Sequence, residues 1–197
     1  MQSQTFVFFG IVGSGKGTQV KLLTDFLKGK DGKETVYAGT GEGFRQVVNS
    51  DTYAGKLVKE KLDRGELIDD FFANSLIANI LVSSLSPEKN LIADGYPRTI
   101  SQSKVFEDMM KFFKREQVKI IYIEVGKAEA MKRNLLRGRH DDTEAGLAKR
   151  FDEYVNNVVP AMNYFKEKSG YIVHTINGEQ SVENVHKDII SKLGYSF

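Results

Sequence analysis

Lys16 lies in the stretch GIVGSGKGTQ, and a lysine among glycines at this spacing is suited to holding phosphate. Gly10, Gly13, Gly15 and Gly17 put no side chains in the way, so successive backbone N–H groups can turn onto one anion. A helix opening near Lys16 would point the positive end of its dipole at the same place. The Lys16 ammonium adds a mobile point charge for the outer phosphates. Ser14 lies inside the loop, and the first hydroxyl after Lys16 comes at Thr18. A second cluster reads Asp94-Gly95-Tyr96-Pro97-Arg98-Thr99. An Asp at a strand end beside a phosphate loop can hold magnesium or its waters. Arg98 follows a turn set by Gly and Pro, so its guanidinium can be aimed at a second phosphate.

A third cluster is basic: Lys132, Arg133, Arg137, Arg139, Lys149 and Arg150, with Asp141 and Asp142 between them. Arginine forks can clamp a transferring phosphate with two hydrogen bonds and never lose their charge. A fourth cluster, Thr40-Gly41-Glu42-Gly43-Phe44-Arg45, puts Arg45 about one turn into a helix whose start could face a ligand. His140, His174 and His186 are far apart and show no metal-ligand spacing. His174 falls in a strand pattern and reads as packing.

The elements that must position these groups alternate along the chain. Short apolar runs at 6–9, 35–38, 90–93, 119–125 and 171–176 read as strands, several of them covered on both faces. Helical patterns occupy 16–28, 69–85, 100–115, 127–137, 143–168 and 181–193. This βαβα order implies a parallel sheet with helices on both faces, with ligand loops at the C-terminal strand ends. Gly10, Thr40, Asp94 and the segment after Val125 all sit there. Between 39 and 68 two helical stretches follow without a strand, broken near Asn49-Ser50-Asp51, and read as a small inserted helical subdomain.

Composition narrows the class of protein. A chain of 197 residues with 41% hydrophobic residues suits one globular domain, 1–197, with a proper core. Its 28 basic against 26 acidic residues argue against nucleic acid as the main partner. With no cysteine, disulfides, thiolate zinc sites and cysteine nucleophiles are excluded. No signal peptide and no membrane-spanning stretch is expected, which favours a cytoplasmic protein.

The motifs together resemble the adenylate kinase family of nucleoside monophosphate kinases, in its short-lid type. The loop ending in Gln19 resembles G-x-P-G-x-G-K-G-T-Q, and Thr40 to Arg45 resembles T-G-D-x-x-R. Gly65-Glu66-Leu67-Ile68 resembles G-x-L-V, and DGYPRTISQ resembles D-G-F/Y-P-R-T-x-x-Q. Gly138-Arg139 with Asp141-Asp142 and Arg150 resembles G-R-x-D-D…R. The resemblance implies a P-loop three-layer α/β/α fold with a five-stranded parallel sheet. It also implies a nucleoside-monophosphate-binding helical subdomain at 39–68.

The reaction implied is transfer of the ATP γ-phosphoryl group to a monophosphate, with magnesium and without zinc, by a monomer. By resemblance, Gly13, Ser14, Gly15, Lys16, Gly17 and Thr18 bind ATP phosphates, and Arg133 borders the ATP adenine. Arg45 and Arg98 hold the acceptor phosphate, and Arg139 and Arg150, assisted by Arg137, stabilise the transferring group. Asp94 and Thr18 order the waters of magnesium. Thr40, Glu66, Ile68, Gly95 and Gln102 border the acceptor, and Thr40 with Gln102 favours AMP. Two alternatives stay open: a kinase for UMP or CMP, and a nucleotide sensor or assembly factor without turnover. Val12 stands where the family has Pro, so the loop loses one conformational restraint. Gly43 stands where Leu is usual, weakening its helix by about 1 kcal/mol. Only Gly138 separates Arg137 from Arg139, leaving a vestigial lid at 137–141.

Overall fold

Residues Thr-Phe-Val-Phe-Phe form strand β1 (Thr5–Phe9), and every one of them is buried. Its alternate side chains feed two cores. Phe6 and Phe8 pack with Leu23 and Ile189 on one face, and Val7 and Phe9 pack with Phe106 and Phe165 on the other. A strand buried on both faces must be the middle of a covered sheet. In the computed structural model, which describes residues 3–138 and 143–196, β1 is central in a five-stranded sheet. The other strands are β2 (Thr35–Gly39), β3 (Asn90–Asp94), β4 (Val118–Glu124) and β5 (Tyr171–Asn177). Their order is β2-β3-β1-β4-β5, with every pairing parallel. Helices cover both sides of this sheet, and the chain has the P-loop α/β architecture that the sequence implied.

Helices α1 (Lys16–Asp31) and α9 (Val182–Lys192) cover the Phe6 face. Helices α4 (Asp70–Ser84) and α5 (Ile100–Phe112), with α8 (Val159–Lys166), cover the Val7 face. Helices α2 (Thr40–Val48) and α3 (Tyr53–Asp63) stand between β2 and α4 without an intervening strand. Thr52 caps α3, its hydroxyl accepting from the Gly55 amide at 3.1 Å. Gly43 lets α2 lie close to α4, since a Cβ there would stand 3.0 Å from Leu76 Cδ1.

The single helix expected at 143–168 is interrupted. α7 (Glu144–Glu153) passes through a π turn (Tyr154–Val158) into α8. Pro160 explains the interruption: without an N–H it cannot bond four residues back, and its ring crowds that carbonyl. The Val159 amide reaches back five residues to the Tyr154 carbonyl instead. Arg139, His140, Asp141 and Asp142 lie outside the described residues, and with them most of the turn expected at 137–141. Helix α6 (Lys127–Arg137) ends at Arg137, with Gly138 left-handed at φ 65°. Among the described residues, no helix is long and apolar enough to cross a membrane.

The Phe165 ring ties the sheet to its helical cover. It meets Phe9 at 6.4 Å, Phe106 at 6.2 Å and Tyr171 at 4.7 Å between centroids, and it is fully buried. Phe165→Ala is expected to cost about 3–5 kcal/mol of stability in urea unfolding. Val82→Ala, at a position 75% exposed, should change it by less than about 0.5 kcal/mol.

Candidate active site

The loop after β1 needs left-handed backbone at Gly10, Gly13 and Gly15, with φ of 151°, 86° and 91°. At Gly13 space is also short: a Cβ would stand 2.7 Å from the Ala130 carbonyl of α6. The loop is pinned from below by Asn134, buried in α6, whose Nδ2 donates to the Val12 carbonyl at 3.0 Å. That bond is a restraint on the loop at the residue where the family's proline is absent. Gly15, left-handed, caps α1, whose first turn carries no acidic residue, so its amides face the cleft with positive potential. Gly17 and Thr18 line the same cleft, with Thr18 exposed. Ser14 is buried, and its amide donates to the Ile11 carbonyl at 3.1 Å within the loop.

Lys16 bends back over this loop. Its Nζ donates to the Gly10 carbonyl at 2.7 Å and the Ile11 carbonyl at 3.0 Å. Burial lowers its pKa to about 8; the Asp94 carboxylate counters this, and Arg98 and Arg137 reinforce it.

Gly95, left-handed at φ 70°, turns the chain out of β3 and presents its carbonyl to two donors. Thr40 Oγ1 donates to it at 2.9 Å, and Arg98 Nε at 2.8 Å. A Cβ at Gly95 would stand 2.8 Å from the Arg98 guanidinium, so the close approach requires glycine. The Arg98 amide donates to Gln102 Oε1 at 2.7 Å, and Gln102 Nε2 donates to Asp70 Oδ1 at 2.8 Å. Thr99 Oγ1 also donates to Asp70, at 3.0 Å. Gln102 is 2% exposed and therefore holds the Arg98 turn in place as well as bordering the cleft. Burial and the neighbouring Arg150 lower the Arg98 pKa from the usual guanidinium value, and Asp94 opposes the shift.

The glycine loop, Lys16, Thr40, Asp94, Arg98 and Gln102 border one open cleft of about 1090 Å³. Arg45 on α2, Arg133 and Arg137 on α6, and Arg150 on α7 all reach it. Arg133 is fixed in place, with Nε on Glu129 at 2.7 Å and Nη1 on the Gly178 carbonyl at 2.9 Å. Glu66 and Ile68 border the far end, past α3. There Gly65 approaches α7 so closely that a Cβ would stand 2.6 Å from the Gly146 carbonyl. Arg139 lies outside the described residues.

Sequence reasoning missed Tyr37, Asp70 and Asn134. Asn134 carried a readable signal, a polar residue on the inward face of α6 one turn after buried Ala130. Asp70 and Tyr37 carried none, because their partners Gln102 and Asp94 are distant in sequence.

The model of the family described as adenylate kinase matches residues 8–170. The adenylate kinase of Prochlorococcus marinus (strain MIT 9515) is 32% identical over 188 residues, covering 95% of this chain and 97% of that one. That of Thermosipho africanus (strain TCF52B) is 30% identical over 216 aligned positions, with 94% and 97% covered. That of Azobacteroides pseudotrichonymphae genomovar. CFP2 is 31% identical over 194 positions, with 96% of each covered. The matched span runs from the end of β1 through α8 and takes in the glycine loop, the Asp94 turn and Arg150; this chain belongs to the adenylate kinase family, whose members are phosphotransferases.

Proposed function

We propose that the chain transfers the γ-phosphoryl group of ATP to AMP, giving two ADP. The observation that carries this reading is the meeting of Lys16, Arg98 and Arg150 around one cleft where β1 and β3 end. Phosphoryl transfer needs positioning and charge neutralisation more than covalent help. The loop amides, the start of α1 and Lys16 hold the ATP phosphates. Arg133, fixed by Glu129 and Gly178, borders the adenine of ATP. Arg45 and Arg98 hold the AMP phosphate. Arg137, Arg139 and Arg150 spread the charge that develops on the transferring group. Closure of the helical segment 39–68 over the acceptor keeps water out.

The acceptor base lies against Thr40, Glu66, Ile68, Gly95 and Gln102. An amide nitrogen carries two N–H groups, so Gln102 keeps one beyond its bond to Asp70 for a base acceptor. Asp94 and Thr18 give the hard oxygen donors that suit hydrated magnesium, so the residues fit that ion. Among the described residues, no group of three or more histidines or carboxylates could hold a metal ion by itself. Magnesium would therefore arrive on the nucleotide's phosphates, and when bound it neutralises their charge. The reading further takes the chain to act as a cytoplasmic monomer on small molecules, without nucleic acid or membrane.

A panel of monophosphates with ATP tests the acceptor. AMP should give the highest kcat/KM; AMP among the poorest acceptors would turn the reading to a UMP or CMP kinase. Binding of both nucleotides without ADP formation would turn it to a sensor. Arg98→Ala should lower kcat by about 10²–10³ while the circular dichroism spectrum is retained. Lys16 yields a pH prediction. A group whose free pKa is about 8 is partly neutral above that pH, and an incoming phosphate favours its charged form. ATP binding near pH 8.5 (on the order of half a unit above that value) should therefore take up protons, seen by calorimetry in buffers of different ionisation enthalpy. Lys16→Arg should abolish the uptake, because guanidinium stays charged.

A further inference from the structure

Tyr37 is used by none of these roles, although it borders the cleft. It lies on the edge strand β2, where the register pairs Tyr37 with Ile92 and Gly39 with Asp94. Its ring runs forward along the strand, and its hydroxyl donates to Asp94 Oδ2 at 3.2 Å. The path crosses Gly39: a Cβ there would overlap the Tyr37 hydroxyl and ring. Gly39 has φ −114° and ψ 127°, extended backbone that any residue adopts. The tyrosine ring, rather than the backbone, therefore accounts for the missing side chain at 39.

Asp94 lies in the field of two cations, since its charge acts on both Lys16 and Arg98. A carboxylate left unheld between them pairs with the more mobile one. Arg98 is a rigid fork whose Nε is fixed on the Gly95 carbonyl. Lys16 is a point charge on a flexible stem, and such a pair would compete with phosphate for it. Burial and the Asp94 charge both raise the phenol pKa of Tyr37, so the hydroxyl remains a neutral donor at physiological pH.

We propose that Tyr37 is a positioning residue: reaching across the bare Gly39, its hydroxyl keeps the Asp94 carboxylate on the β2 side of the cleft and leaves the Lys16 ammonium available to ATP phosphates. This rests on the reading that ATP binds at Lys16. Titration calorimetry of ATP in EDTA, without metal or turnover, tests it. Tyr37→Phe should weaken ATP binding about tenfold, the worth of one hydrogen bond to a charged group. The melting temperature and the affinity for AMP, which does not depend on Lys16, should hold. Gly39→Ala should show the same loss with the hydroxyl still present, because the methyl displaces the ring. The double variant should be no weaker than either single one. Unchanged ATP affinity in Tyr37→Phe, equal losses for ATP and AMP, or additive losses in the double variant would each overturn the proposal. Failure of the unaltered chain to bind ATP would instead overturn the kinase reading beneath it.

Discussion

Like charges gathered close together repel, and this cleft gathers Lys16, Arg98, Arg137 and Arg150 around the Asp94 carboxylate. Lys16 feels Arg98 and Arg137, and Arg98 feels Arg150, as unfavourable neighbours. The fold holds such groups chiefly with backbone carbonyls at the ends of strands and in the loops after them. Lys16 rests on Gly10 and Ile11, and Arg98 on Gly95, while Arg133 combines the Gly178 carbonyl with a Glu129 ion pair. A carbonyl dipole steadies a cation without neutralising it. An anionic ligand with several charges therefore meets groups already placed, and relieves a repulsion that exists before it arrives.

Parallel pairing explains why these carbonyls are available together. Each strand ends at the same edge of the sheet, and the order β2-β3-β1-β4-β5 sets the Asp94 turn beside the glycine loop. The turn is then tied outward. Arg98 leans on Gln102, Gln102 and Thr99 lean on Asp70, and Asp70 opens α4. On the far side, Gly65 brings the exit of α3 against α7, the helix that carries Arg150. The segment after β2 and the helix that carries Arg150 thus share one close contact.

Much of the fold was legible because its signals are local. An apolar run such as 6–9 followed by glycines and a helix admits few arrangements, and the observed strands match the expected runs within one or two residues. Helix 143–168 was legible in extent but not in its π turn, because the apolar period continues through Pro160 while only the hydrogen-bond pattern shifts. The site was legible where a motif carried it, as at Lys16 and Arg98. Gln102 was expected to border the acceptor, but its bonds to Arg98 and Asp70 were not legible. Tyr37 was invisible, since an outward tyrosine on an edge strand looks the same whether it meets solvent or Asp94.

The chain alone determined which chemical groups exist and roughly where each element begins: glycines that free the backbone, one lysine at a helix start, arginines that stay charged, and no cysteine to bind zinc. Those are properties of residue type and near-neighbour spacing. Tertiary structure decided which oxygen each donor meets. It set Asn134 under Val12, Thr40 and Arg98 on one carbonyl, and Tyr37 across Gly39 onto Asp94. The physical reason is range: a hydrogen bond needs partners within about 3 Å, and for residues 57 or 122 positions apart only the packed sheet and its helices bring them that close.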